Sequence, residues 1–353
     1  MKNFSDVDGV VKVWSASPVL ETSATFGNYN YTLRSFKNSS MQQIFINQML
    51  IFPVSQSGVS SLDWLPNSDR KLIYGTMNGI VRICDIDERK FAHEFNCTTN
   101  VEGRTTNNEP IHYVKQISCS NNGICAIASS ELGNGNGRLM LYDLKSAKTI
   151  ENDLTTCINN ASSADNLNST GNSVTTCVFN HNAQMIITGN TDGKVRIFDL
   201  RKRDCISSWS LTDQTVPILT LQMSTDETCI YALSSGGQFS AWSFIQTSQK
   251  IFDTNLEDPY FNSELYPRAA WGKQFSFAGD GKHILTCSTA GGVIYEVVEE
   301  SSSNGEKKLE KVLGLKGHRR HATCTDWSNS TDCGPCVTAG FDGQIRISTL
   351  LSQ

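Results

Sequence analysis

A short pattern recurs seven times along the 353 residues: a turn of small residues ending in glycine, followed by an alternating apolar strand. The first copies are Asp8-Gly9-Val10-Val11-Lys12-Val13-Trp14, Asn78-Gly79-Ile80-Val81-Arg82-Ile83-Cys84-Asp85 and Asn136-Gly137-Arg138-Leu139-Met140-Leu141-Tyr142-Asp143. Asp192-Gly193-Lys194-Val195-Arg196-Ile197-Phe198-Asp199, Gly236-Gly237-Gln238-Phe239-Ser240-Ala241-Trp242, Gly291-Gly292-Val293-Ile294-Tyr295 and Asp342-Gly343-Gln344-Ile345-Arg346-Ile347 follow. The marker glycines at 9, 79, 137, 193, 237, 292 and 343 are separated by 70, 58, 56, 44, 55 and 51 residues. One four-stranded propeller blade takes about 40–45 residues, so the excess is loop. Asp-Gly or Asn-Gly supplies the positive φ of a tight hairpin. In the Val-Arg-Ile strand that follows, two apolar residues face the stack of blades and the charge points elsewhere. Partner strands lie upstream, such as Met185-Ile186-Ile187-Thr188-Gly189 and, before it, Val174-Thr175-Thr176-Cys177-Val178-Phe179. The repeat predicts an all-β, seven-bladed propeller forming a single domain over residues 1–353.

With four strands a–d per blade and the glycine turn ahead of strand c, the first blade holds strands c and d only. The seventh ends at strand c near Leu350, which leaves an unpaired sheet edge. The longest irregular stretches, about 27–57, 98–111, 155–172 and 257–272, all fall between a strand d and the next strand a. Their Asn, Ser, Thr and Gly content marks solvated loops, although in 155–172 compositional drift explains it equally well. The d–a connections share a face with the b–c turns, and elaborated loops on one face make it the candidate partner surface. Residues 27–57 read as an insertion, with more aromatic and aliphatic content than a solvated loop needs. Glu299 to Lys308 falls between strands c and d, on the opposite face.

Charge and hydropathy exclude several classes. A net charge of −5 argues against a nucleic-acid groove, which needs clustered positive charge. The longest greasy patch, Met49-Leu50-Ile51-Phe52-Pro53-Val54, is far too short to cross a bilayer. The first residues lack the apolar stretch of a signal peptide. The chain therefore reads as cytosolic. Its 12 cysteines fit that compartment: Cys84, Cys125, Cys177, Cys229 and Cys287 sit singly in apolar runs, as small buried hydrophobes.

Gly317-His318, ahead of Asp342, matches the Gly-His…Asp pair of a WD-repeat signature. His318 is expected to hydrogen-bond Asp342, joined by Thr338, and so brace the blade. Asp192 and Asp8, the equivalent turn carboxylates, read as structural too. Cys333-Gly334-Pro335-Cys336 matches a redox tetrapeptide, but it leads into a strand and hairpin rather than the helix that stabilises a reactive thiolate. His318, His321, Cys324, Cys333 and Cys336 cluster like zinc ligands. His318 is committed to the brace, however, and Cys324 lies on a different strand from the cysteine pair. No P-loop, Gly-x-Ser-x-Gly or His-Glu-x-x-His is present, and Gly133-Asn134-Gly135-Asn136-Gly137 lacks the helix a phosphate site needs. The expectation is a non-enzyme without cofactor or metal. Arg201-Lys202-Arg203 falls on the c–d face, whereas Arg319 and Arg320 lie in a d–a loop on the candidate partner face.

The tail Gly317-His318-Arg319-Arg320-His321-Ala322-Thr323-Cys324-Thr325-Asp326-Trp327-Ser328, with Asp332-Cys333-Gly334 and Ile345-Arg346-Ile347-Ser348-Thr349-Leu350-Leu351, resembles a family of WD-repeat endosomal regulators. So do Asp6-Val7-Asp8-Gly9-Val10-Val11-Lys12-Val13-Trp14-Ser15, Phe179-Asn180-His181-Asn182 and Leu285-Thr286-Cys287-Ser288-Thr289-Ala290-Gly291-Gly292-Val293-Ile294-Tyr295. The resemblance implies a seven-bladed WD-repeat β-propeller that binds a GTP-loaded late-endosomal Rab GTPase. It also implies restraint of the class III phosphatidylinositol 3-kinase complex, a second WD-repeat endosomal protein as partner, and peripheral attachment to early and late endosomes. Arg319 and Arg320 are the expected partner contacts. The family's N-terminal helical and coiled-coil region has no counterpart here, and its pattern lacks residues 27–57. A competing expectation, a substrate receptor of a cullin-type ubiquitin ligase, rests on Phe198-Asp199-Leu200-Arg201. That stretch resembles the Trp-Asp-x-Arg box of such receptors, with Phe in place of Trp.

Overall fold

The computed structural model describes residues 2–5, 10–18, 44–53, 58–66, 68, 70–85, 88, 90–97, 112–131, 137–150, 154, 173–212, 215–256, 272–289, 291–299, 307–328 and 335–348. Strands β1 (Lys2–Ser5), β2 (Val10–Pro18) and β3 (Ile44–Pro53) pair in that order and are described by backbone alone. Five four-stranded sheets follow. The first two hold β4 (Val59–Trp64), β5 (Lys71–Thr76), β6 (Ile80–Asp85) and β7 (Lys90–Asn96), then β8 (His112–Cys119), β9 (Ile124–Glu131), β10 (Gly137–Asp143) and β11 (Lys148–Thr149). The next two hold β12 (Val174–Phe179), β13 (Met185–Asn190), β14 (Lys194–Asp199) and β15 (Asp204–Ser210), then β16 (Ile218–Met223), β17 (Cys229–Ser234), β18 (Gln238–Ser243) and β19 (Lys250–Asn255). The fifth comprises β20 (Phe275–Phe277), β21 (His283–Ser288), β22 (Gly291–Glu299) and β23 (Lys307–Lys316). A three-stranded sheet of β24 (Ala322–Trp327), β25 (Cys336–Gly340) and β26 (Ile345–Ser348) completes the described order.

Among the described residues, six blades, β4 to β26, therefore stand where seven were expected. The residues assigned to the first blade carry the separate sheet β1–β3, in which a strand precedes Asp8-Gly9 although only strands c and d were expected there. Within 27–57, expected to be an insertion loop, residues 44–53 form a strand: the run Ile44-Phe45-Ile46-Asn47-Gln48-Met49-Leu50-Ile51-Phe52 is rich in strand-forming residues and pairs with β2.

Residues 1–2, 13–49 and 251–353 form one compact unit, and residues 3–12 and 50–250 another. In the second, apolar layers are sandwiched between successive sheets. Ile73, Val81 and Ile83 meet Val114, Ile127 and Met140; Ala126, Leu139 and Leu141 meet Cys177, Ile186 and Phe198; Ile187, Val195 and Ile197 meet Leu221, Ile230 and Trp242. In the first unit, Leu285 and Ile294 pack with Trp327 and Cys336. Because both faces of an inner strand are covered, its side chains are buried on both sides. Arg196 on β14 is only 1% exposed, which corrects the expectation that the charge of the Val-Arg-Ile pattern points away from the packing.

Two repeated polar devices had no sequence signal. Strand a bulges at the same place in five blades, between Val59 and Ser61, Val114 and Gln116, Val174 and Thr176, Ile218 and Thr220, and Ala322 and Cys324. The residue after the bulge then accepts a hydrogen bond from the next blade's strand a. Ile117 N donates to Ser61 Oγ (2.9 Å), Cys177 N to Gln116 Oε1 (3.1 Å) and Leu221 N to Thr176 Oγ1 (3.2 Å). Each otherwise unpaired inner-edge amide is satisfied by a neighbouring blade.

The turn glycines divide into two kinds. Gly79, Gly193, Gly237 and Gly343 have φ between 68° and 82°, as the hairpin argument requires. Gly137 instead begins β10, and a Cβ there would lie 2.4 Å from Ser173 Cα, so close approach of two backbones demands it. Among the cysteines, Cys125 is not the lone thiol expected: it faces Cys119 across the β8–β9 hairpin and is disulfide-bonded to it. Cys84 and Cys177 are buried free thiols, and Cys287 is buried as well.

Candidate partner surface

The d–a loop 317–321 and the turn 340–343 between β25 and β26 are fastened into one unit by His318 and Asp342. Asp342 Oδ1 lies 2.9 Å from His318 Nδ1 and accepts the Gln344 amide at 3.1 Å, while its Oδ2 accepts the Arg319 amide at 2.8 Å. His318 Nε2 lies 3.0 Å from Thr338 Oγ1, so both ring nitrogens are engaged. A second tie runs from Phe341 N to His321 O at 3.0 Å. Burial pushes the Asp342 carboxyl up. The bonds from His318, Arg319 and Gln344 outweigh that and hold it below the usual carboxylate range.

The frame's d–a loop carries Arg319 and Arg320, both exposed, and its turn carries Phe341, 47% exposed. Phe341 was missed in the sequence because it precedes Asp-Gly in a turn, where polar residues are the rule. Thr191 holds the matching place before Asp192-Gly193. A large apolar side chain at the tip of a two-residue turn was the available signal.

The other expected residues are placed as follows. Asp192 serves the β13–β14 turn: its carboxylate receives Arg196 Nη1 at 3.2 Å, Arg196 Nη2 at 2.5 Å and the Lys194 amide at 3.1 Å. Asp8 and Cys333 lie outside the described residues, as do 27–43, 98–111 and 155–172. Cys336 begins β25 and is 1% exposed, packed with Trp327 and Leu285. Among the described residues no three His, Cys, Asp or Glu side chains are grouped to hold a metal ion. In the Phe198-Asp199-Leu200-Arg201 stretch, Phe198 is fully buried and Asp199 accepts the Arg201 amide at 2.8 Å, with Arg201 Nη2 drawn to 3.5 Å. That backbone bond is the chief cause holding Asp199 below the usual carboxylate range. Arg201, Lys202 and Arg203 are exposed at the β14–β15 turn.

Strand order, blade repetition and the His318–Asp342 brace define the class: an all-β WD-repeat β-propeller. Residues 163–199 match the family described as "WD domain, G-beta repeat". The propeller domain of Cps50 (Swd1) from Myceliophteria thermophila superposes with a TM-score of 0.61 at 14% identity, covering 86% of this chain and 88% of that one, which speaks to fold alone. Over 99% of its length the chain is similar to WD repeat-containing protein 91, 28% identical to that of Mus musculus and 30% identical to that of Gallus gallus. A homolog of that protein in Dictyostelium discoideum is 23% identical over 98% of the chain. The chain spans 43%, 42% and 36% of those three relatives, less than half of each.

Proposed function

We propose that this propeller is a non-catalytic scaffold of endosome maturation. In this reading it binds a late-endosomal Rab GTPase in its GTP form and restrains the class III phosphatidylinositol 3-kinase complex during early-to-late conversion. It works with a second WD-repeat protein, as a peripheral component of early and late endosomal membranes. The similarity to WD repeat-containing protein 91 over 99% of the chain carries the reading. The frame around Asp342 supports a contact surface for it. Two loops locked by His318, Asp342 and the Phe341–His321 bond carry two exposed arginines and an exposed phenylalanine, residue types that dominate protein interfaces. Selection of the nucleotide state follows from contact with switch segments that only the γ-phosphate orders. Calorimetric titration of the chain with the GTPase locked in its GTP and GDP forms tests this. Binding of the GTP form alone is the expected result, and equal affinity for both, or none, rejects it.

A further inference from the structure

Of the five strand-a bulges, three carry a hydroxyl residue and two do not: β16 has Leu219 there, and β8 has a charge. The bulged residue is Ser60 in β4, Thr175 in β12 and Thr323 in β24. Each donates its hydroxyl to the facing carbonyl of strand b: Gly75 at 3.2 Å, Gly189 at 2.9 Å and Ala339 at 3.3 Å. At the same place β8 carries Lys115. The Thr175 hydroxyl also lies 2.5 Å from Ile218 O of the next blade, but a hydroxyl has a single hydrogen to give, whereas an ammonium brings three donors, a full charge and a longer reach.

Lys115 extends to the next blade, where Nζ lies 3.3 Å from Ser173 Oγ, on the residue ahead of β12, and 5.8 Å from the centre of the Tyr113 ring. Ser173 is 1% exposed and fixed by its own amide, which donates to Thr191 Oγ1 at 3.0 Å. Lys115 itself is half-buried. Among the described residues, a neutral hydroxyl and an aromatic face are what surround this cation, with no carboxylate in ion-pair distance. Burial accordingly pushes the amine down to about 8. A half-buried cation without a counter-charge is unfavourable unless an anion completes it. Ser173 accepts from Lys115, so its hydroxyl hydrogen remains to be donated. One ammonium charge balances one carboxylate, and the hydroxyl adds a donor to its second oxygen, whereas a phosphate dianion would leave a negative charge uncompensated.

We propose that Lys115, Ser173 and Tyr113 form a carboxylate-binding subsite between the first strands of two adjacent blades, which takes an acidic group of a protein partner. The group is an Asp or Glu side chain or a free C-terminus, and the two sources are separable. The chain labelled with 13C at lysine Cε is titrated with a tri-glutamate peptide blocked at both ends, and separately with an acetylated tri-alanine bearing a free C-terminal carboxylate. The Lys115 resonance should move saturably with at least one peptide while exposed lysines such as Lys311 do not. The peptide that moves it identifies the source. In Lys115→Met, checked for an unchanged far-ultraviolet spectrum, affinity should drop roughly tenfold or more, the worth of a charge-assisted hydrogen bond. Lys115→Arg should keep part of it. A Lys115 resonance that responds no more than the exposed lysines, or binding undiminished in folded Lys115→Met, overturns the assignment.

Discussion

Asp192 and Arg196 show how a charge becomes tolerable deep in a blade. The arginine side chain is 1% exposed and its acceptor 24% exposed, joined through two hydrogen bonds. Replacing both by apolar groups would lose little, but removing only the acid strands a buried guanidinium. Asp192→Ala should therefore destabilise the chain by about 3–5 kcal/mol and Arg196→Met by much less. Denaturant unfolding of the two variants decides this, and equal losses would show that the pair is not acting as a pair. Lys115 supplies the opposite case and a pH signature. Its folded-state value near 8 lies below the roughly 10.4 of an exposed lysine, so the folded state releases its proton first. The penalty is complete below pH 8 and fades as pH rises toward about 10.4. Lys115→Met should thus be more stable than the parent at pH 7, by a margin that shrinks across that window. The buried thiols Cys97 and Cys177, pushed up to about 12, act in the other direction above pH 9 in both proteins and cancel in the difference. A margin independent of pH would mean that Lys115 titrates normally.

At the scale of elements, the two kinds of glycine make separable demands. Gly137→Ala drives a methyl to 2.4 Å from Ser173 Cα, where only backbone can yield, so a cost of about 1–3 kcal/mol is expected. Gly343→Ala meets nothing within 4 Å and strains only a φ of 68°, which should cost about 1 kcal/mol. Thermal unfolding that ranks them the other way would refute the distinction. The sequence made the b–c turns and strands c legible, because hairpin chemistry and alternation are local. It made the His318–Asp342 pairing legible as well, since both residues belong to a recognisable signature. What stayed hidden depends on neighbours distant in sequence. Gln116 reads as an ordinary polar residue until Cys177, 61 residues on, brings its amide to it. Arg196 reads as an outward charge until a second blade covers it. Strand β3 stayed hidden inside a long stretch without a turn signal of its own, although its apolar run was visible.

For the molecule as a whole, the decisive question is whether recognition resides in the braced edge at 317–321 and 340–343. The brace and the displayed side chains are chemically separate, which allows them to be tested apart. Asp342→Asn keeps the size of the side chain but loses its negative charge and one acceptor oxygen, leaving the amide of Arg319 or the ring of His318 without its partner. Stability should fall by about 1–3 kcal/mol, the cost of a broken buried hydrogen bond. The loss should be largest near neutral pH. Because the carboxyl of Asp342 is held low in the folded state, its contribution is present above about pH 4 and disappears as pH falls through that lowered value. Phe341→Ala and the pair Arg319→Ala with Arg320→Ala should leave stability within about 0.5 kcal/mol, since these side chains are exposed. If the edge is the interface, each should weaken binding of the GTP-locked GTPase by about tenfold or more. The arginine pair should also lower the association rate most at low salt, because exposed charges act by steering. Unchanged affinity in all three substitutions, with Asp342→Asn still destabilised, would leave the brace as a device of the fold alone and move the interface elsewhere on the propeller.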